Sequence, residues 1–188
     1  NTNFNAGIEF GVLQNRISGS IEYFNRKTTD MLMAFPTAPS LGYSSYYANV
    51  GDMSNKGIEV DLNFTPIRSK NVQWDINVNL THLKNKIISL PPERRTKEVE
   101  GYYGYAGSSF FYGQGLPLYT FYMKKYAGVS EDGRSMWYKD VTDKDGKPTG
   151  ERTTTTAYSE GSDYLCGNAI PDLYGGFGTS VSFFGFDF

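Results

Sequence analysis

The chain has 188 residues, with 18 Lys and Arg against 20 Asp and Glu, a formal net charge of -2 and a mean hydropathy of -0.46. Charges so evenly mixed leave no basic stripe to neutralise phosphates, which argues against nucleic acid as a partner. One cysteine, Cys166, and one histidine, His82, allow neither an internal disulfide nor a zinc site of the usual ligands, and no stretch approaches the about 20 apolar residues of a transmembrane helix.

Fifteen Tyr, 13 Phe, two Trp and 21 Gly, without the Leu, Ala, Glu and Lys runs that build helices, point to an all-β chain. In chain order, Asn3 to Val12 alternates Phe4, Ala6, Ile8, Phe10 and Val12 with Asn5, Gly7, Glu9 and Gly11. A tight turn, Leu13 to Arg16, leads into a second alternating segment, Arg16 to Lys27. A long excursion, Thr28 to Asn55, contains "FPTAPSLGYSSYYANV". Lys56 to Thr65 sets Ile58, Val60, Leu62 and Phe64 against Gly57, Glu59, Asp61 and Asn63. After the short turn Pro66 to Asn71, Val72 to Thr81 sets Val72, Trp74, Ile76, Val78 and Leu80 against Gln73, Asp75, Asn77, Asn79 and Thr81. A second excursion, Leu83 to Tyr174, precedes the last alternating segment, Gly175 to Phe184.

Each of the five segments is close to the about 9–11 residues of a tilted strand crossing a bilayer. Short turns on one side and long loops on the other is the layout of an outer-membrane barrel, with the short turns periplasmic and the long loops outside. A soluble sandwich accounts for the alternation equally well. The polar list, free of Lys and Arg, suits a hydrated lumen better than a soluble sheet surface. The chain opens and closes within alternating strands, as expected of a fragment.

Within the excursions, "SEDGRS" carries the Asp-Gly signal of a hairpin. The two lysines of "YMKKY" fit a bilayer wall poorly, so Tyr119 to Val141 is expected to be an external hairpin rather than wall. "DVTDKDGKPTGE" (Asp140 to Glu151) imitates part of a calcium loop, but Val141 and Arg152 fall where oxygen ligands belong, and an Asp-Gly turn is the better account. Gly57 is expected to leave space for a bulge or an approaching plug. Gly176, Gly178, Ser180 and Ser182 share one parity, which would admit a plug or tight curvature. Trp74, Tyr23 and Phe64 fit either the headgroup region or packing on a neighbouring strand.

Four phrases in order, "YFNRKTTDML", "NVGDMSNKGIEVDL", "WDINVNLTHLKNKI" and "NAIPDLYGGFGTSVSFFGFDF", resemble the C-terminal part of the SusC/RagA family of TonB-dependent outer-membrane transporters, with weaker matching between Pro91 and Leu165. The resemblance implies that residues 1–188 are part of a barrel of about 22 strands with a plugged lumen, supplying about five wall strands and long extracellular loops, without the plug domain. It further implies the outer membrane of a Gram-negative bacterium, contact with its lipid, a SusD-like surface lipoprotein that closes as a lid, the TonB complex acting through segments outside this chain, and glycan or peptide cargo.

Recognition is expected from aromatic residues of the loops, Tyr43, Tyr46, Tyr47, Tyr102, Tyr103, Tyr105, Phe110, Phe111 and Tyr112, with Tyr119, Phe121 and Tyr122 beside them. Tyrosine offers a flat apolar face and a hydroxyl at low entropic cost, suited to stacking on sugar rings or to burying a partner surface. The same rings also stiffen loops by packing on one another. Nothing in the sequence implies a metal, a cofactor or catalytic residues. The competing reading is a soluble β-rich carbohydrate-binding module that uses the same aromatics.

Overall fold

A computed structural model describes residues 1–36, 40, 42, 45–49 and 51–188, at 33–36 and 45 for the backbone alone. The chain forms two compact units, one made of Asn1–Ser89 with Pro171–Phe188 and the other of Leu90–Ile170. Both are built from antiparallel strands, and no described residue lies in an α-helix.

In the first unit the strands are β1 (Thr2–Val12), β2 (Ile17–Thr28), β3 (Leu32–Pro36), β4 (Ser45–Asn49), β5 (Asp52–Arg68) and β6 (Val72–Ser89). The second unit contains β7 (Lys97–Val99), β8 (Tyr102–Gly107), β9 (Phe110–Gly113), β10 (Thr120–Lys124), β11 (Tyr126–Val129), β12 (Ser135–Thr142), β13 (Pro148–Thr155) and β14 (Asp163–Asn168). The chain then returns to the first unit with β15 (Leu173–Phe183) and β16 (Phe186–Asp187).

The five alternating segments of the sequence pair in the order β1-β2-β5-β6-β15, with β16 on the end. Since β6 pairs directly with β15, the whole intervening excursion lies outside this sheet. The register sorts side chains by face. Ile8, Ile21, Val60 and Leu80 make one row, and Phe10, Gly19, Leu62, Val78 and Phe177 make the next. Opposite parity collects Ser20, Asp61, Asn79 and Gly176 in one row and Ser18, Asn63, Asn77 and Gly178 in another. Period-two patterning has therefore produced one apolar face and one polar face. The apolar face is uncovered, with Ile8 72% and Phe177 70% exposed.

Two strands run well past the bounds expected from the sequence. The strand expected over Lys56 to Thr65 runs Asp52–Arg68, and that expected over Val72 to Thr81 runs Val72–Ser89. The second excursion therefore begins after Ser89 rather than at Leu83, and the first holds its own hairpin, β3 with β4. Pairing continues because the upper rows still have partners on the polar face. There the Asn85 side-chain amide donates to Asn55 at 2.7 Å.

The second unit holds a five-stranded sheet, β14-β10-β9-β8-β7, and a three-stranded sheet, β11-β12-β13. Tyr119 to Val141 is thus divided between two sheets of this unit and forms no wall strand. The Asp-Gly turn of "SEDGRS" joins β11 to β12, with Gly133 at φ 80° where a side chain would be strained. The second such turn joins β12 to β13, where the Asp143 carboxylate accepts the backbone N–H groups of Asp145 and Lys147, both at 2.9 Å, and Gly146 takes φ 78°. The acid that imitates a calcium ligand is occupied as a turn acceptor.

Candidate functional site

Gly57 does not mark a bulge. It lies inside β5 opposite Phe24, and a Cβ there would come within 2.0 Å of the His82 carbonyl oxygen and 2.8 Å of the Phe24 ring. The glycine lets β6 approach closely and gives the Phe24 ring its place on the mainly polar face, where Arg26 lies 5.1 Å from the ring centroid. Gly178 has a related role, since a Cβ would meet the Asn77 side-chain oxygen at 2.2 Å. Gly176 and Gly178 thus give room to the side-chain amides of Asn79 and Asn77 on β6. On the apolar face, the Trp74 indole N–H donates to the Thr179 hydroxyl at 2.8 Å, so that ring is held by a neighbouring strand.

The polar face also carries a depression of about 530 Å³ bordered by Glu9, Asn15, Ser18, Ser20, Asp61 and Asn63. It offers hydroxyl, amide and carboxylate oxygens and no cation, a hydrated surface without a nucleophile–base pair.

The aromatic cluster resolves into three groups. Tyr43 lies outside the described residues. Tyr46 and Tyr47 sit on β4, with Tyr47 75% exposed. The remainder belong to the five-stranded sheet of the second unit. Phe111 is fully buried on one of its faces, with the Tyr122 ring 5.8 Å away. On the other face Tyr105 stacks on Tyr112 at 4.9 Å, Phe110 stacks on Phe121 at 5.2 Å, and Tyr119 meets Phe110 edge-on at 5.6 Å. Burial raises the hydroxyl pKa of Tyr105 and of Tyr112 above that of a free tyrosine. Most of the predicted rings therefore stiffen the sheet by packing on one another.

One end of that face is different. Arg95, Gly101, Tyr103 and Gln114 border an open groove of about 420 Å³. The Arg95 guanidinium is set by two hydrogen bonds to the Leu90 carbonyl, at 2.9 and 2.7 Å, and the Gln114 backbone N–H donates to the Tyr103 carbonyl at 2.9 Å. The Tyr103 hydroxyl donates to the Glu98 carboxylate, which holds it neutral by raising its pKa. A half-exposed ring, an amide and an oriented guanidinium around one groove can stack on a flat solute and hydrogen-bond its oxygens. Tyr102, on the opposite parity of β8, does not join it. Arg95, Gln114 and Glu98 went unnoticed in the sequence, although the charges of "ERRTKEVE" directly precede the tyrosines.

Comparison with known proteins fits this geometry. The model for the TonB dependent receptor-like β-barrel family matches residues 1–186. The chain belongs to that family. The TonB-dependent receptor SusC of Bacteroides thetaiotaomicron is 28% identical over 100% of the chain, which spans 18% of that protein. TonB-dependent receptor P26 of Formosa agariphila is 26% identical over 96% of the chain, again 18% of the relative. Among solved structures, the RagAB peptide transporter matches with a TM-score of 0.77 and 28% identity, covering 98% of this chain and 20% of that one. These matches identify the chain as SusC/RagA-type, as the four sequence phrases implied, and the fold as that of an antiparallel transmembrane barrel segment. The family comprises outer-membrane barrel receptors and transporters of Gram-negative bacteria, not enzymes.

Proposed function

We propose that residues 1–188 form part of the wall and external loops of a barrel that imports peptides or glycans across the outer membrane, energised through TonB and closed by a SusD-like lipoprotein. The observation that carries this reading is the uncovered apolar face of the β1-β2-β5-β6-β15 sheet backed by a polar face, in a chain similar to the RagAB peptide transporter. In a soluble carbohydrate-binding sandwich, Ile8, Ile21, Ile58, Leu80 and Phe177 would meet a second sheet, yet all are exposed. In this reading the second unit, inserted in the connection from β6 to β15, belongs to the external loops, and its Arg95, Tyr103 and Gln114 groove contacts cargo or lid.

The test is uptake of a labelled peptide or oligosaccharide pool by cells carrying the intact protein, together with capture of the lipoprotein from their membranes. Tyr103→Ala and Arg95→Ala should reduce uptake or capture while the amount of inserted barrel stays at the parental level. Parental uptake and capture in both variants would remove the groove from the recognition surface.

A further inference from the structure

Just beyond the apolar band, at the long-loop end of the sheet, the outward face changes character. Two successive rows of the register read Asn25, Lys56, Lys84 and Lys27, Ser54, Lys86 across β2, β5 and β6. Their parity is that of Ile58, Val60 and Leu80, so these side chains continue the lipid-side surface, and all four lysines are exposed. Lys27 has an acid partner, Asp52, at 3.9 Å. Among the described residues, Lys56, Lys84 and Lys86 make no ion pair, and the acids Glu22, Glu59 and Asp61 fall on the opposite parity. Like charges directly opposite each other destabilise an antiparallel pair, and Lys56 faces Lys84. Three uncompensated ammonium groups thus stand together just above apolar side chains, a concentration of positive charge that attracts an anion.

We propose that Lys56, Lys84 and Lys86 bind the phosphate of an outer-leaflet lipid headgroup. Resting on the outer-membrane reading above, the argument for a lipid is continuity and charge. The apolar rows from Ile58 and Leu80 downwards accept acyl chains, and the first rows beyond them present ammonium donors, which hold phosphate as point charges. Asn25 and Ser54, already joined by a hydrogen bond of 3.5 Å, add an amide and a hydroxyl between the lysines. The lipid anchors the upper edge of the wall and screens the Lys56–Lys84 repulsion.

The experiment extracts the intact protein, confirms barrel insertion by heat-modifiable mobility on gels, and measures by native mass spectrometry the retention of monophosphoryl lipid A, its dephosphorylated counterpart and inorganic phosphate. The parent should prefer the phosphorylated lipid, and the triple variant K56Q/K84Q/K86Q should lose about tenfold or more of that retention. The charge-preserving triple Arg variant should keep it, as should K70Q, whose lysine lies in the short turn at the other end. Should the Gln variant not insert, the parent's preference for phosphorylated over dephosphorylated lipid decides: retention of both alike overturns the proposal. Equal retention by parent and inserted Gln variant overturns it too, as does competition by inorganic phosphate at the concentration of the lipid, which would mark a free-phosphate site. A parent that never inserts overturns the membrane reading instead.

Discussion

Ile76 and Asn77 are adjacent in β6 and point to opposite faces, Ile76 opposite Phe64 and Thr179, Asn77 opposite Asn63 and Gly178. Arg at position 76 should destabilise the intact barrel by about 2–4 kcal/mol, while Arg at 77 is tolerated, a difference readable from unfolding in urea. Equal damage would indicate a core packed on both sides. In the second unit, Phe111→Ala should cost about 3–5 kcal/mol because it empties a fully buried ring site, whereas Tyr103→Ala should leave stability almost unchanged and act on recognition. Excising Gly101 to Gly115 would remove Phe111 with the groove, so point substitutions test recognition more cleanly. Tyr164 is buried, and with its hydroxyl bonded to Asp140 its pKa is pushed up to about 12. With the folded value above the unfolded one of about 10, its contribution to stability is complete below pH about 10 and is lost as pH rises through about 12. Ultraviolet titration of Tyr164→Phe should lack the last-ionising tyrosine, and an unchanged alkaline limb would refute that assignment. The tyrosine density was legible in the sequence, but which rings pack and which border a groove was not. That division follows from the pairing of Phe110 with Gly107 and Phe121, and of Tyr105 with Tyr112, which alternation within one short strand does not specify.

At the scale of the strand, the five wall elements and their order were legible because each buries nothing on one side and must alternate strictly. The upper ends of β5 and β6 were not. Past Leu80 and Thr81 the outward parity turns polar, with His82, Lys84 and Lys86, while on the inward parity Leu83 and Ile87 flank Asn85. The strict alternation is broken there by Asn85 and by the adjacent Ile87 and Ile88, so a reading tuned to apolar outward positions stops at Thr81 while the hydrogen-bonded ladder continues to Ser89. In the membrane reading this change of the outward face is where the strand leaves hydrocarbon. Gly57 lies in this upper region and supplies an element-scale test. Gly57→Ala should cost about 1–3 kcal/mol, since the new Cβ meets the His82 backbone oxygen at 2.0 Å, whereas Gly7→Ala meets the movable Glu22 side chain at 2.8 Å and should cost less. The melting temperature of the folded gel band compares them, and the reverse order would argue that β5 and β6 do not pack as closely as described.

For the whole molecule, an exposed apolar face on the first unit makes the chain dependent on lipid, detergent or neighbouring strands. Produced by itself in water, the 188-residue chain should aggregate, and a soluble monomer with one cooperative thermal transition by calorimetry would count heavily against the membrane reading. The central claim is that one face of the β1-β2-β5-β6-β15 sheet touches lipid and the other water. It is tested most directly by placing single cysteines in a Cys166→Ser background of the intact, membrane-inserted protein at Ile8, Val60, Val78 and Phe177 and at Ser20, Asp61, Asn63 and Asn79. Spin labels on them then report collision with oxygen, which partitions into lipid, and with a water-soluble nickel chelate. The account predicts oxygen-dominated relaxation at the first four positions and chelate-dominated relaxation at the second four. Labels at Val60 and Asp61, or at Val78 and Asn79, that answer both reagents alike would contradict it.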